Sequence, residues 1–228
     1  HSGAFTLNGR LFMWGCNEFG QLGDDRAPYG QTTPMENISR TRRLRRSVKS
    51  LVCGREHTIA ITIENQVYAW GRGSDHRLGT SGAGEVNQLP MLIEAFRESN
   101  IVSVEAGDSH SAATGRHGEL YTWGSGHMGK LGHGRDMLAI IPRRIDDALQ
   151  GVRVAKCALG LDHTVVVTEA GVVFTWGAGW YGRLGHGSTS NEYSPRQVCG
   201  VLEGHRCTDI AAGAYHTVAI SAGDLYVW

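Results

Sequence analysis

Residues 54–79 read GREHTIAITIENQVYAWGRGSDHRLG. The same frame returns at 107–132 as GDSHSAATGRHGELYTWGSGHMGKLG and at 160–185 as GLDHTVVVTEAGVVFTWGAGWYGRLG. Tryptophan–glycine pairs open at Trp14, Trp70, Trp123 and Trp176, and Trp228 keeps the beat, at intervals of 56, 53, 53 and 52 residues. A histidine precedes each tryptophan (His1, His57, His110, His163, His216) by 13 residues, or by 12 for the last. Leu–Gly pairs begin at Leu22, Leu78, Leu131 and Leu184, and Pro34, Pro90, Pro142 and Pro195 follow 11 or 12 residues later. Four markers on one period exclude coincidence and make the chain an array of one supersecondary unit.

The unit is β. HTIAIT, HSAATG, HTVVVT and HTVAIS carry β-branched or small residues, and each leads through a short turn to a second strand ending in Trp. The turns hold Asn8-Gly9, Glu64-Asn65, His117-Gly118, Ala170-Gly171 and Ala222-Gly223, chemistry that accommodates positive φ in a tight hairpin. A glycine-bearing loop follows, then the proline and a final strand such as IVSVEAG or CTDIAAG. About four strands per 53 residues without helical periodicity predict an all-β propeller. The approximate units are 1–53, 54–106, 107–159 and 160–212, with 213–228 incomplete. Four near-complete four-stranded blades are expected, with Trp14, Trp70, Trp123 and Trp176 buried between neighbours.

An active site uses one geometry, whereas repeat packing uses every copy, so five equivalent histidines argue for architecture and against catalysis. The tryptophans, Trp228 included, are expected to fill the space between blades. The glycine three residues before His57, His110, His163 and His216 would permit close backbone approach, and each histidine would bond main chain.

Composition agrees. Lys+Arg and Asp+Glu both number 22, so no global field directs the chain to nucleic acid or an anionic membrane. Glycine reaches 32 of 228 residues with only 5 prolines, which suits a turn-rich folded chain rather than collagen or a disordered tract. Cys16, Cys53, Cys157, Cys199 and Cys207 form no CxxC pair, so neither a disulfide framework nor a zinc site is encoded, and an intracellular setting, cytoplasmic or nuclear, is expected. No apolar run is long enough to span a bilayer. His127, His133 and His186 lack partners at metal-ligand spacing, and no P-loop, GxSxG or HExxH occurs, so no cofactor or metal is expected.

The combined pattern G-x-x-H-[ST], x-G-x-[LV]-[YF]-x-W-G and G-x-L-G resembles the regulator of chromosome condensation repeat over essentially the whole chain. That resemblance implies a seven-bladed β-propeller of about 50 to 60 residues per blade. Seven blades need roughly 370 residues, so the chain would supply about four, with the others elsewhere on a parent chain. Functions diverge in the family. The founding member is the nucleotide-exchange factor for the small GTPase Ran, docked on nucleosomes, and relatives include modules of HECT-type ubiquitin ligases and a plant ultraviolet-B photoreceptor. The photoreceptor's excitonic tryptophans fall where this chain has Arg55, Asp108, Leu161 and Ala214. AGDSHSAAT (106–114) and GLDHTVVVT (160–168) resemble segments of the exchange factor, which would carry GTPase-facing roles onto Asp108 and Asp162. Capping of loops by the two aspartates is the competing reading. The β-wedge of the exchange factor would interrupt the loop after Trp123, yet that loop is an ordinary SGHMGKLG.

Irregular positions point to partners. Trp180, the tryptophan off the beat, stands with Tyr181 where other loops have Glu18-Phe19, Ser74-Asp75 and His127-Met128. The pair reads as an interface anchor, or Tyr181 packs under its own loop. Arg77, Lys130 and Arg183 recur before Leu–Gly as a basic row facing an acidic partner, or as a solvated ring of charge. The run Arg40, Arg42, Arg43, Arg45, Arg46 and Lys49 could touch nucleic-acid phosphates, or blunt a solvated outer strand. The expected function is a protein-interaction platform without catalysis. The alternatives are a guanine-nucleotide exchange factor for a Ran-like GTPase and a substrate-recruiting module of a HECT-type ubiquitin ligase.

Overall fold

The computed structural model describes residues 1–37, 44, 47–146 and 148–228, and within them the chain forms eighteen strands in five antiparallel sheets. The first sheet is β1 (Ser2–Phe5), β2 (Leu11–Cys16) and β3 (Gly30–Glu36). The second is β4 (Val48–Cys53), β5 (His57–Thr62), β6 (Val67–Arg72) and β7 (Val86–Leu92). The third is β8 (Ile101–Ala106), β9 (His110–Gly115), β10 (Leu120–Gly124) and β11 (Ala139–Arg144). The fourth is β12 (Val154–Leu159), β13 (His163–Thr168), β14 (Val173–Gly177) and β15 (Glu192–Gln197). The fifth is β16 (Cys207–Ala212), β17 (Thr217–Ser221) and β18 (Asp224–Val227). This is a partial propeller with β4, β8, β12 and β16 packed side by side on its inner side.

The expected four or so blades are present as three four-stranded sheets flanked by two three-stranded ones. Sequence repeat and sheet are out of phase by one strand. Segments such as IVSVEA and CTDIAA, which close a repeat in sequence, are the innermost strands of the following sheet, where they pair with the histidine strand. Short loops dictate this. Only Gly107–Ser109 separates β8 from β9, too little chain to cross to another blade, whereas Ile145–Arg153 can make the step from β11 to β12.

The histidine strands β5, β9 and β13 are buried at every residue, because neighbouring blades cover both faces. Trp123 joins Ile59, Leu78, Phe96, Ile101 and Val104 between the second and third sheets, and Trp176 joins Ala112, Leu120, Ile145 and Val154 between the third and fourth. Each such tryptophan removes on the order of 200 Å² from water, contributing at most about 5 kcal/mol. Trp70 fills the same seam beside Leu11, Met13 and Leu22. Trp14 departs from the expected burial: it is half-buried, with no blade among the described residues on its outer side.

The glycine of each Trp–Gly pair marks a register shift between the tryptophan strand and the outermost strand, at φ near 100° for Gly15, Gly71, Gly124 and Gly177. A Cβ on Gly71 would stand 2.5 Å from the Glu56 carbonyl oxygen, so the bulge requires glycine. The predicted hairpin turns occur with positive φ at Gly9, Asn65, Gly118, Gly171 and Ala222. Pro34, Pro90, Pro142 and Pro195 sit in the outermost strands, where a missing N–H costs no ladder bond.

Candidate functional site

A hydrogen-bond relay crosses every seam. His57 Nε2 lies 2.8 Å from Ser111 Oγ of the next blade, and that hydroxyl donates to the Arg77 carbonyl at 2.8 Å. His110 Nε2, Thr164 Oγ1 and the Lys130 carbonyl repeat it at 3.2 and 2.8 Å; His163, Thr217 and the Arg183 carbonyl do so at 3.0 and 2.7 Å. His1 meets Thr58 in the same way, at 2.7 Å. Because each hydroxyl proton goes to a carbonyl, the hydroxyl accepts from an imidazole protonated on Nε2. The Trp123 indole also donates to the Arg77 carbonyl, at 2.9 Å, and Trp176 to that of Lys130, at 3.0 Å. The histidines therefore bond side-chain hydroxyls of the next blade. Burial lowers His57 to about 3 and His163 to about 4, and drives His110 well below its ordinary value, so all three are neutral. His216 has no following blade to cover it and is exposed. The expected close approach at the glycines is present: a Cβ on Gly54 would lie 2.7 Å from the Gly107 carbonyl oxygen.

Arg77, Lys130 and Arg183 are not a solvated row. Their relative exposures are 3, 1 and 1%, because each side chain turns inward across the seam toward the following blade. Arg77 donates to the Asp108 carbonyl at 2.9 Å and pairs with Glu56 at 3.2 Å and Asp75 at 3.0 Å. The Lys130 ammonium donates to Ser109 Oγ at 2.8 Å and to Asp162 at 2.7 Å. Arg183 donates to the Trp180 carbonyl at 2.9 Å and the Ala214 carbonyl at 3.3 Å. Asp108 pairs with Arg55 at 2.9 Å. Both aspartates are thus held in ion pairs between neighbouring blades, rather than capping their own loops.

These groups share one face with the loops that follow the Trp–Gly pairs. On the side of the second and third sheets the face is charged. Around the fourth and fifth sheets it is aromatic: Trp180 is 49% exposed, Tyr181 79% and Tyr215 52%. Tyr181 and Tyr215 meet edge to face at 5.8 Å, with the Arg183 guanidinium 5.7 and 4.9 Å from their centroids. Tyr181 therefore does not pack under its own loop. Phe19, at the corresponding position, is half-buried with Arg72 over its ring at 4.6 Å. Tyr181 holds φ of 62°, a left-handed conformation that Asp75 and Met128 share at the equivalent positions. An open depression at the mouth of the inner strands is lined by Gly54, Arg55, Gly107, Asp108, Leu161 and Ala214.

Two features escaped the sequence pattern. Tyr215 precedes His216 where the earlier repeats carry Glu56, Ser109 and Asp162, and that departure was its only signal. His133 and His186 make a second contact that the spacing did not show. Their Nε2 atoms lie 3.1 and 3.0 Å from Thr122 and Thr175 Oγ1, hydroxyls that donate to the Leu131 and Leu184 carbonyls. Of the basic run, Arg40, Arg42, Arg43, Arg45 and Arg46 lie outside the described residues. Lys49 is exposed and bonds Asn65. Among the described residues, no group of three or more His, Cys, Asp or Glu side chains is placed to hold a metal ion, and no helix is long and apolar enough to cross a membrane.

Residues 1–228 match the RCC1-like domain. The chain is 32% identical over 231 residues to the human E3 ubiquitin-protein ligase HERC2, covering 100% of itself and 5% of that protein. It is 32% identical over 234 residues to the Arabidopsis thaliana ultraviolet-B receptor UVR8, covering 51% of it. It thus spans a small part of one relative and about half of the other. Among solved structures, Prp20p of Saccharomyces cerevisiae, described with its binding properties to Gsp1p and histones, superposes with a TM-score of 0.83 at 21% identity, over 96% of this chain and 53% of that one. The phased His, Trp–Gly and Leu–Gly positions, the seam relay they build and the family match over its full length place this chain in the RCC1-like domain family of β-propellers.

Proposed function

We propose that this propeller segment is a protein-interaction platform whose docking surface is the aromatic part of the loop face, formed by Trp180, Tyr181 and Tyr215. One observation carries the reading. Trp180 and Tyr181 stand exposed on a loop that the seam relay holds, and Tyr215 meets Tyr181 edge to face, while the on-beat tryptophans of the three complete sheets are all buried. Aromatic side chains offer large contact area at low entropic cost, which is why they dominate binding hot spots. Arg77, Lys130 and Arg183 act from beneath, fixing the loops rather than touching the partner.

The repeat relays use their histidines neutral and buried, which supports a binding rather than a catalytic role. Exchange on a small GTPase, suggested by likeness to the exchange factor, would ask Asp108 and Asp162 to leave Arg55 and Lys130. Recruitment of substrate to a ubiquitin ligase would use the same aromatic face and is a special case of the platform. The test is comparative capture from cell extract by wild type and Trp180→Ala, quantified by mass spectrometry, with thermal midpoints measured alongside. Partners held by wild type should be lost from the variant at an unchanged midpoint. Identical capture by both proteins would end the proposal.

A further inference from the structure

Every cation of the loop face described above has a carboxylate except one. Arg55 has Asp108, Arg72 has Glu56, Arg77 has Glu56 and Asp75, and Lys130 has Asp162. Arg183 has none within ion-pair distance among the described residues, and its Nη2 has no hydrogen-bond partner although it is buried. The repeat explains the vacancy. Lys130 takes its carboxylate from Asp162, one residue before the next blade's histidine; for Arg183 that position is Tyr215. The carboxylate of its own blade, Asp162, acts on Arg183 only through its field, beyond ion-pair distance, because it bonds Lys130. An aromatic ring thus covers the guanidinium where an acid would otherwise neutralise it.

We infer that the docking face selects an acidic peptide segment, whose Asp or Glu carboxylate accepts from the Tyr181 and Tyr215 hydroxyls near Arg183 while an adjacent apolar side chain packs on Trp180. This rests on the reading of that face as the docking surface. The positive charge of Arg183 is buried but close to solvent, with two rings as its lid, so its field reaches a group seated on them more strongly than through water. A cation beneath an aromatic ring polarises it away from further cations. The phenol hydroxyls are donors that a carboxylate can accept from, so a basic segment meets repulsion where an acidic one meets two donors and a charge. Lys130 differs, since the Asp162 carboxylate already pairs with its ammonium and Ser109 Oγ accepts a second bond from it.

The experiment is selection of twelve-residue peptides by phage display on the intact protein, followed by titration of the leading fluorescein-labelled peptide. Selected peptides should be enriched at least about fivefold in Asp and Glu at one position and depleted in Lys and Arg, and replacing that acid by Lys should weaken binding at least tenfold. Tyr215→Asp installs in cis the acid that Arg183 lacks; it should weaken the same peptide at least tenfold more than the neutral Tyr215→Asn. Thermal midpoints establish that both variants fold, and if either does not, the acid-to-Lys peptide and its loss of binding with salt decide the question on wild-type protein. Selection of basic or uncharged peptides, selection of none, or equal effects of the two Tyr215 variants in folded protein would overturn the inference. If peptides are not acidic but Trp180→Ala still loses its partners from extract, the platform stands and only the acidic specificity falls. Unchanged capture by Trp180→Ala removes the platform itself.

Discussion

Thr164→Val removes one hydroxyl from a seam and leaves its shape. In the structure that hydroxyl donates to the Lys130 carbonyl at 2.8 Å and accepts from His110 Nε2 at 3.2 Å. The carbonyl keeps the Trp176 indole as a donor, at 3.0 Å, so its loss is small. His110 has zero exposure, so removing the hydroxyl takes away the side-chain acceptor of Nε2 where no water can replace it. An unsatisfied buried donor costs about 1–3 kcal/mol. We therefore expect a loss near 2 kcal/mol, which at a slope of about 2 kcal/mol per molar urea lowers the unfolding midpoint by about 1 M with the slope unchanged. Thr164→Ser keeps the hydroxyl and should cost only its methyl group, about 0.8 kcal/mol. A double-mutant cycle isolates the contact: in a His110→Leu background no donor remains to be stranded, and Thr164→Val should cost at least about 1 kcal/mol less than in wild type. If the cycle is additive, or Thr164→Ser and Thr164→Val are equally harmful, the hydroxyl is not the acceptor of a buried imidazole. The repeated histidine would then need another explanation.

The buried histidines should impose an acid limb on stability. Their folded pKa values lie below the ordinary 6.5, so their contribution is complete above about 6.5 and is lost as pH falls toward 3–4, with a slope approaching about 1.4 kcal/mol per pH unit for each histidine; urea midpoints between pH 7 and 4 measure it, and a flat profile would contradict neutral burial. Glu105 carries the opposite sign: burial raises its carboxyl to about 7, so its favourable contribution is present below about 4.5 and lost as pH rises through 7. Glu105→Gln should accordingly be more stable than wild type at pH 8 and no more stable at pH 4. Tyr181→Gly relieves a left-handed φ worth about 1 kcal/mol and should hold or raise the thermal midpoint while abolishing capture of the partner; a marked fall in midpoint would make Tyr181 structural. The protein should leave fluorescent-GDP release from Ran at its intrinsic rate, with Asp108→Ala changing nothing; an acceleration that vanishes in Asp108→Ala would establish exchange activity instead.

Periodicity was sufficient to read the blade, because the same few residues solve the same seam in each repeat. Trp123 and Trp176 fill equivalent gaps, the glycine after each takes a bulge that admits no Cβ, and the turns at Asn65 and Gly118 demand positive φ. These are local requirements written at fixed spacing, and spacing is visible in one dimension. Which sheet a strand joins was not, since IVSVEA closes a sequence repeat yet hydrogen-bonds forward to the next histidine strand. The relay was equally hidden, because His57 and Ser111 are 54 residues apart and only the stacking of blades brings them to 2.8 Å. Arg77, Lys130 and Arg183 look solvated in a sequence, as charged side chains before a turn usually are, and are buried here because the following blade supplies their acceptors. Trp180 and Tyr181 were marked by being out of step with the repeat. Tyr215 acquires its meaning only from the tertiary structure, which sets its ring over Arg183 where an adjacent blade would have placed a carboxylate.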